Sequence, residues 1–88
     1  MDLTHHAVER MQQRGIARAE LDCLLRYGRP EYDHHGGRIF FVDKSSRRRL
    51  AAHFGSRLAE RVGRLYAVVG HDGAVLTVGH RFHRIKRH

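Results

Sequence analysis

The sequence predicts an α+β fold: two N-terminal helices packed on an antiparallel sheet of about four strands, with a further helix before a C-terminal hairpin. Three observations carry this. Apolar residues recur at helical spacing in the first 27 positions, and glycines stand where those runs stop. Residues 38–43 and 65–79 are rich in β-branched and aromatic residues, and the second stretch contains an Asp-Gly turn. The chain has 88 residues, enough for one small domain spanning 1–88, so helices and strands must share a core.

The first helix is expected over residues 4–13. Thr4 caps it, Gly15 ends it, and Leu3, Ala7, Val8 and Met11 form its apolar stripe. The second is expected over 17–27, with Leu21, Leu24 and Leu25 inward. Gly28 closes it and Pro30 prevents its continuation. The short connection makes the two helices neighbours. Residues 31–34 form a weak strand candidate. His35-Gly36-Gly37 is a turn, and residues 38–43 are a strand expected to be buried on both faces. Leu50, Phe54, Leu58 and Val62 recur at i+4 and predict one helix across 45–62, although interior Gly55 and Gly63 would each weaken it by about 1 kcal/mol. Residues 65–70 and 74–79 pair around His71-Asp72-Gly73. Strand alternation places Val75, Thr77 and Arg81 on one face, and Leu76, Val78, His80 and Phe82 on the other.

The formal net charge of +8 is unevenly placed. Residues 1–43 hold six Arg against seven acids, a net of −1, whereas residues 44–88 hold eleven Arg or Lys against Glu60 and Asp72, a net of +9. Fifteen of the seventeen basic residues are Arg, which contacts phosphate bidentately and stacks on bases. The imbalance favours a polyanionic partner, with RNA or other nucleic acid first. An anionic membrane surface or an acidic protein also fits the arithmetic, and GC-rich codons would enrich Arg everywhere. With 41% hydrophobic residues and one proline, the chain is not of disordered composition. No apolar run approaches the roughly 20 residues that span a bilayer, and the first 20 positions are polar and charged rather than leader-like. The single cysteine, Cys23, closes no internal disulfide. A cytoplasmic domain with no membrane partner is expected.

Three basic constellations are candidates for chemistry. His6, Arg10 and Arg14 lie at i, i+4 and i+8, in one stripe bordering the apolar face of the first helix. At such a border a histidine can have a tuned proton affinity and an arginine can hold an anion. Ion pairing of Arg10 and Arg14 with Glu20 or Asp22 is the structural alternative, and His5 points elsewhere. His80 beside Arg81, at a sheet end, suits a phosphodiester: the arginine neutralises the phosphate while the histidine moves a proton. A solvated charged tail is the alternative there. The third constellation is Arg47, Arg48 and Arg49 with Arg57, Arg61 and Arg64. On a continuous helix Arg49, His53, Arg57 and Arg64 fall within about a quarter of the circumference, as a phosphate-tracking or merely solvated face, with Glu60 placed to pair with Arg57 or Arg64. Arg38, and Arg84, Lys86 and Arg87 in the tail, complete the candidate nucleic-acid-binding set.

No metal site is expected, because adjacent histidines such as His5-His6 and His34-His35 diverge and neither a Cys pair nor a carboxylate-backed His spacing occurs. No phosphate-binding glycine loop occurs either, and no cofactor is expected. Cys23 reads as a small filler. Tyr27, Tyr32 and Tyr66 could stack on bases, but packing at the core or its rim is the commoner role.

Residues 4–16, Thr4-His5-His6-Ala7-Val8-Glu9-Arg10-Met11-Gln12-Gln13-Arg14-Gly15-Ile16, resemble the opening of a family of small bacterial domains of unknown function. Its members begin His-Ala-x-x-Arg-Met-x-x-Arg-Gly-Ile. Ala74-Val75-Leu76-Thr77-Val78-Gly79-His80-Arg81 resembles the same family's final strand, so the match runs in order over nearly the whole chain. That family is similar to the RelE/ParE/BrnT-type toxins and to the fold shared with barnase-like and colicin-type RNases. The resemblance implies a RelE-like domain and metal-independent RNA cleavage. It makes His6, Arg10 and Arg14 signature positions and matches Thr77, His80 and Arg81 to the terminal strand. Ala17 replaces the family's capping Ser or Thr, at a cost of about 1 kcal/mol to the second helix.

The expected activity is that of a toxin-like RNA endonuclease of a toxin–antitoxin type system. His6 or His80 would serve as base and acid, and Arg10, Arg38 or Arg81 would stabilise the developing charge. The basic second half would hold RNA, with the ribosome as a candidate place of action and an acidic antitoxin as partner. The alternative is a non-catalytic basic module that binds nucleic acid or blocks a nucleic-acid-processing machine, as a phage-encoded inhibitor would. A third reading is an inert toxin-fold relative that binds only protein.

Overall fold

Thr4 starts α1 (His5–Arg14) by accepting a hydrogen bond from the Ala7 N–H at 3.1 Å, and Gly15, at φ 64°, turns the chain out of it in the left-handed region. In this computed structural model, residues 2–33 and 35–81 are described. His34, Phe82, Arg84, Lys86 and Arg87 lie outside the described residues.

α2 (Arg18–Tyr27) begins at Ala17, whose side chain offers no acceptor. Glu20 supplies the other half of a capping box, its Oε1 accepting from the Ala17 N–H at 2.8 Å. The same buried carboxylate meets Arg61 Nε at 3.0 Å and ties α2 to the fourth helix.

The order continues β1 (Arg29–Tyr32), β2 (Arg38–Phe41), α3 (Lys44–Phe54), α4 (Ser56–Gly63), β3 (Leu65–Val69) and β4 (Val75–His80). The strands form one sheet in the order β1-β2-β3-β4, with every neighbouring pair antiparallel. The architecture is α+β.

Several boundaries differ from the sequence expectation. β1 starts at Arg29, paired with Phe41, rather than at residue 31. Within β2 only Phe41 is buried, with Ile39 and Phe40 half-buried; Phe41 pairs with Tyr66 on the face away from the core, where the Arg81 guanidinium lies 5.3 Å from its ring centroid. The helix predicted over 45–62 is two helices. Asp43 caps α3, accepting from the Ser46 N–H at 2.8 Å and its hydroxyl at 2.7 Å. The break falls at Gly55, whose φ of 91° and ψ of 160° are open essentially to glycine alone. Arg49, His53, Arg57 and Arg64 therefore share no continuous helical face, and Arg64 is the residue that caps α4. Among the described residues Glu60 has no ion pair with Arg57 or Arg64.

An alanine at position 55 would meet no atom within 4 Å, so its cost is backbone strain alone. Gly55→Ala is expected to lower stability by about 1–3 kcal/mol, read as a lower urea midpoint at an unchanged slope. An unchanged midpoint would mean the break is not strained for other residues.

The last hairpin also departs from strict alternation. Val68 faces Thr77 and Val69 faces Val75, so a bulge leaves Leu76 without a partner. Val75 is buried in the core while Thr77 lies on the opposite face with Val68, and the expected sharing of one face by Val75 and Thr77 fails for that reason.

One core holds the elements together. Ala7 and Met11 of α1 join Leu21 and Leu24 of α2, Leu50 of α3 and Val62 of α4 above Leu65, Ala67, Val69 and Val78 of the sheet. α1 runs along β4. The segment before it bonds to the same strand: the Thr4 N–H donates to Val75 O at 3.0 Å and the Val75 N–H to Asp2 O at 2.8 Å. Opposite partners share a face, so Ile39, Phe41, Tyr66, Val68, Thr77 and Gly79 form the face away from the core. No helix among the described residues is long and apolar enough to cross a membrane.

Candidate nucleic-acid cleft

A cleft of about 590 Å³ opens between α1 and the sheet, lined from both faces of the edge strand β4: Thr77 and Gly79 from the outer face, Val78 and His80 from the core-facing one. α1 contributes His6, Arg10 and Arg14; the end of β4 contributes Thr77, Gly79 and His80, followed by Arg81. Tyr66 of β3, Ile39 of β2 and Val78 also line it. The placement follows from the two periodicities. Burial of Ala7 and Met11 against β4 turns the i, i+4, i+8 stripe beside them toward the strand. Alternation along β4 then presents Thr77 and Gly79 to the outer face.

Within the stripe, Arg10 Nε donates to His6 Nε2 at 3.4 Å. That acceptor role is open only to the neutral ring, with its proton on Nδ1. His5 turns to solvent, where its Nε2 lies 3.0 Å from Glu9 Oε1. The alternative of ion pairs from Arg10 and Arg14 to helix two is not realised, because Glu20 is held by Arg61 and the Ala17 N–H. Neither arginine has a carboxylate partner among the described residues.

Arg81 is held at several points. Its Nη1 donates to Val42 O at 3.0 Å, its guanidinium lies 5.3 Å from the Phe41 ring centroid, and its N–H donates to Arg64 O at 2.6 Å. His80 is half-buried opposite Leu65. Among the described residues no acidic side chain lines the cleft, and the guanidinium groups of Arg10, Arg14 and Arg81 set a cationic field suited to phosphate.

The other candidate residues lie elsewhere. Arg38 stands opposite Val69 on the helix-covered face, its guanidinium 5.5 Å from the Phe40 ring centroid, while its neighbour Ile39 faces the cleft. Arg47, Arg48 and Arg49 on α3 and Arg57 on α4 are exposed on the helical layer and do not line the cleft. Exposed Arg64 connects to it only through its carbonyl, which accepts from Arg81.

Cys23 is half-buried. Burial, and next the charge of Asp22, pushes its thiol above the ordinary range, with Arg26 opposing, so it is no activated thiolate. No group of three His, Cys, Asp or Glu side chains among the described residues could hold a metal ion.

Ile39 was not among the site residues expected from the sequence, and Tyr66 was weighed there as a stacking residue but assigned to packing. The signal for Tyr66 was present: alternation with Leu65 and Ala67 puts it on the face away from the core. What no local pattern conveys is that this face meets the α1 stripe. Comparison with protein-family models, curated proteins and solved structures returns no match.

Proposed function

We propose that the chain is a metal-independent RNA endonuclease of the toxin type, working in the cleft between α1 and β4. One observation supports this above the rest: residues some 70 positions apart, His6, Arg10 and Arg14 with His80 and Arg81, line one cleft with no acidic side chain among its described lining. Phosphoryl transfer from RNA needs two proton-moving groups and cations for the phosphate, and this set supplies both.

In the proposed reaction the substrate 2′-hydroxyl gives its proton to one imidazole and attacks the adjacent phosphorus. The P–O2′ bond forms and the P–O5′ bond breaks. The departing O5′ takes a proton from the second imidazole, leaving a 2′,3′-cyclic phosphate and a 5′-hydroxyl. Arg10, Arg14 and Arg81 carry the charge that builds on the non-bridging oxygens. His6 and His80, the two imidazoles that line the cleft, share the base and acid roles between them. RNA as substrate implies a cytoplasmic place of action, and an unrestrained activity of this kind implies a neutralising acidic partner.

The test is incubation with RNA and with DNA of the same sequence, with and without a chelator. RNA cleavage that survives chelation and leaves cyclic phosphate ends supports the reading. Cleavage lost on chelation, or equal on DNA, overturns it. Binding should be salt-dependent: engaging three phosphates of a single strand gives a log–log slope of about −2, roughly 16-fold weaker binding at 200 than at 50 mM salt. A flat response would count against phosphate contacts.

The separation of Arg47, Arg48 and Arg49 from the cleft favours a second reading, a basic module that binds nucleic acid without cutting it. Binding without cleavage that is lost when those three are changed together would support it.

A further inference from the structure

We propose that Tyr66 is a nucleobase platform, so that the cleft takes a single-stranded ribonucleotide segment with one base stacked on this ring and its phosphate on the arginines. This rests on the nuclease reading and adds to it what the cleft recognises besides charge.

The placement of the ring carries the inference. Tyr66 stands opposite Gly79 on the outer face of the sheet, and its ring lies across the glycine. A Cβ at position 79 would come within 2.8 Å of Cε1, 2.9 Å of the Oη and 3.0 Å of Cζ. Gly79 is thus the clearance that lets the ring lie on β4. The ring is half-buried, lines the same cleft as Arg10, Arg14 and Arg81, and its hydroxyl makes no hydrogen bond among the described residues. The hydroxyl is open to solvent rather than buried without a partner, so a base entering the cleft can reach it and the ring beside it.

A flat aromatic beside phosphate-binding guanidinium groups matches a nucleotide better than a bare polyanion. The arginines hold the backbone, and the ring stacks any base. Bases inside a duplex are already stacked and cannot reach such a platform, so the cleft selects single strands.

The test uses a short 2′-O-methyl RNA, which binds but lacks the attacking hydroxyl, and an abasic oligomer of equal length and charge. Wild type should bind the base-bearing oligomer at least about 5-fold more tightly than the abasic one. Tyr66→Ala should weaken the base-bearing oligomer by about 5- to 150-fold and leave the abasic one unchanged, while Tyr66→Phe stays within about 2-fold of wild type. Gly79→Ala keeps the tyrosine but pushes the ring off the strand, and should show the same selective loss. Thermal melts establish that each variant is folded; should Tyr66→Ala not fold, the wild-type preference and Gly79→Ala decide. Equal affinity of wild type for both oligomers, or equal losses for both in the variants, overturns the platform and leaves the nuclease reading standing. Binding of neither oligomer by wild type overturns both.

Discussion

His6→Ala and His80→Ala are each expected to slow RNA cleavage by about 10²- to 10⁴-fold, the contribution typical of a positioned acid or base. The two rings line one cleft from opposite ends of the chain, His6 from α1 and His80 from β4. In the proposed reaction each handles a different proton, one leaving O2′ and one arriving at O5′. Groups that act as a unit are not additive, so the double variant should lose little more than the worse single variant. Stability separates chemistry from folding. His6 is exposed, so its replacement should leave stability within about 0.5 kcal/mol of wild type. Single-turnover rates with melting temperatures for all three variants make the measurement. Normal cleavage by both single variants would remove these residues from the mechanism.

Leu50→Ala is expected to remove about 2–5 kcal/mol of stability, through lost apolar transfer and the cavity left behind. For a chain of 88 residues the total is on the order of 4–13 kcal/mol, so this one change removes a large share. Leu50 is fully buried, and only Ser46 joins it as a buried residue of α3. The helix therefore rests on the core largely through one side chain, with Arg47, Arg48 and Arg49 exposed beside it. Because α3 does not line the cleft, cleavage per folded molecule should be unchanged well below the urea midpoint. A loss under about 1 kcal/mol would mean α3 is not seated on the core as described.

The parts of the fold that were legible in the sequence are those where one residue type has a single use. Thr4 as a cap, Gly15 in the left-handed region and the Asp72-Gly73 turn each mark a boundary that local chemistry decides. The break at Gly55 was not legible, because Leu50, Phe54, Leu58 and Val62 keep helical spacing straight through it. Both pieces are helical, and only the tertiary path shows that Phe54 swings outward to meet the Tyr27 ring, 5.6 Å away, at 47% exposure. The bulge at Leu76 was hidden for a similar reason, since a single unpaired residue resets alternation without changing composition.

The candidate site divides in the same way. Spacing alone put His6, Arg10 and Arg14 in one stripe and made His80 and Arg81 neighbours. That these two sets face each other depends on α1 lying along β4, a contact across most of the chain. The competition for Glu20 was equally non-local. Its partner is Arg61, from the fourth helix rather than the first.

The pairing of α1 with β4 also sets when the cleft can exist. Synthesis delivers α1 first and β4 last of the described elements, so a nascent chain carries one wall of the cleft without the other until residue 81 has left the ribosome. A product truncated anywhere in the intervening sixty-odd residues has Arg10 and Arg14 but not Arg81, and no second imidazole. On the nuclease function proposed above, unfinished copies would therefore be inactive, and cleavage would begin only once the closing strand is in place.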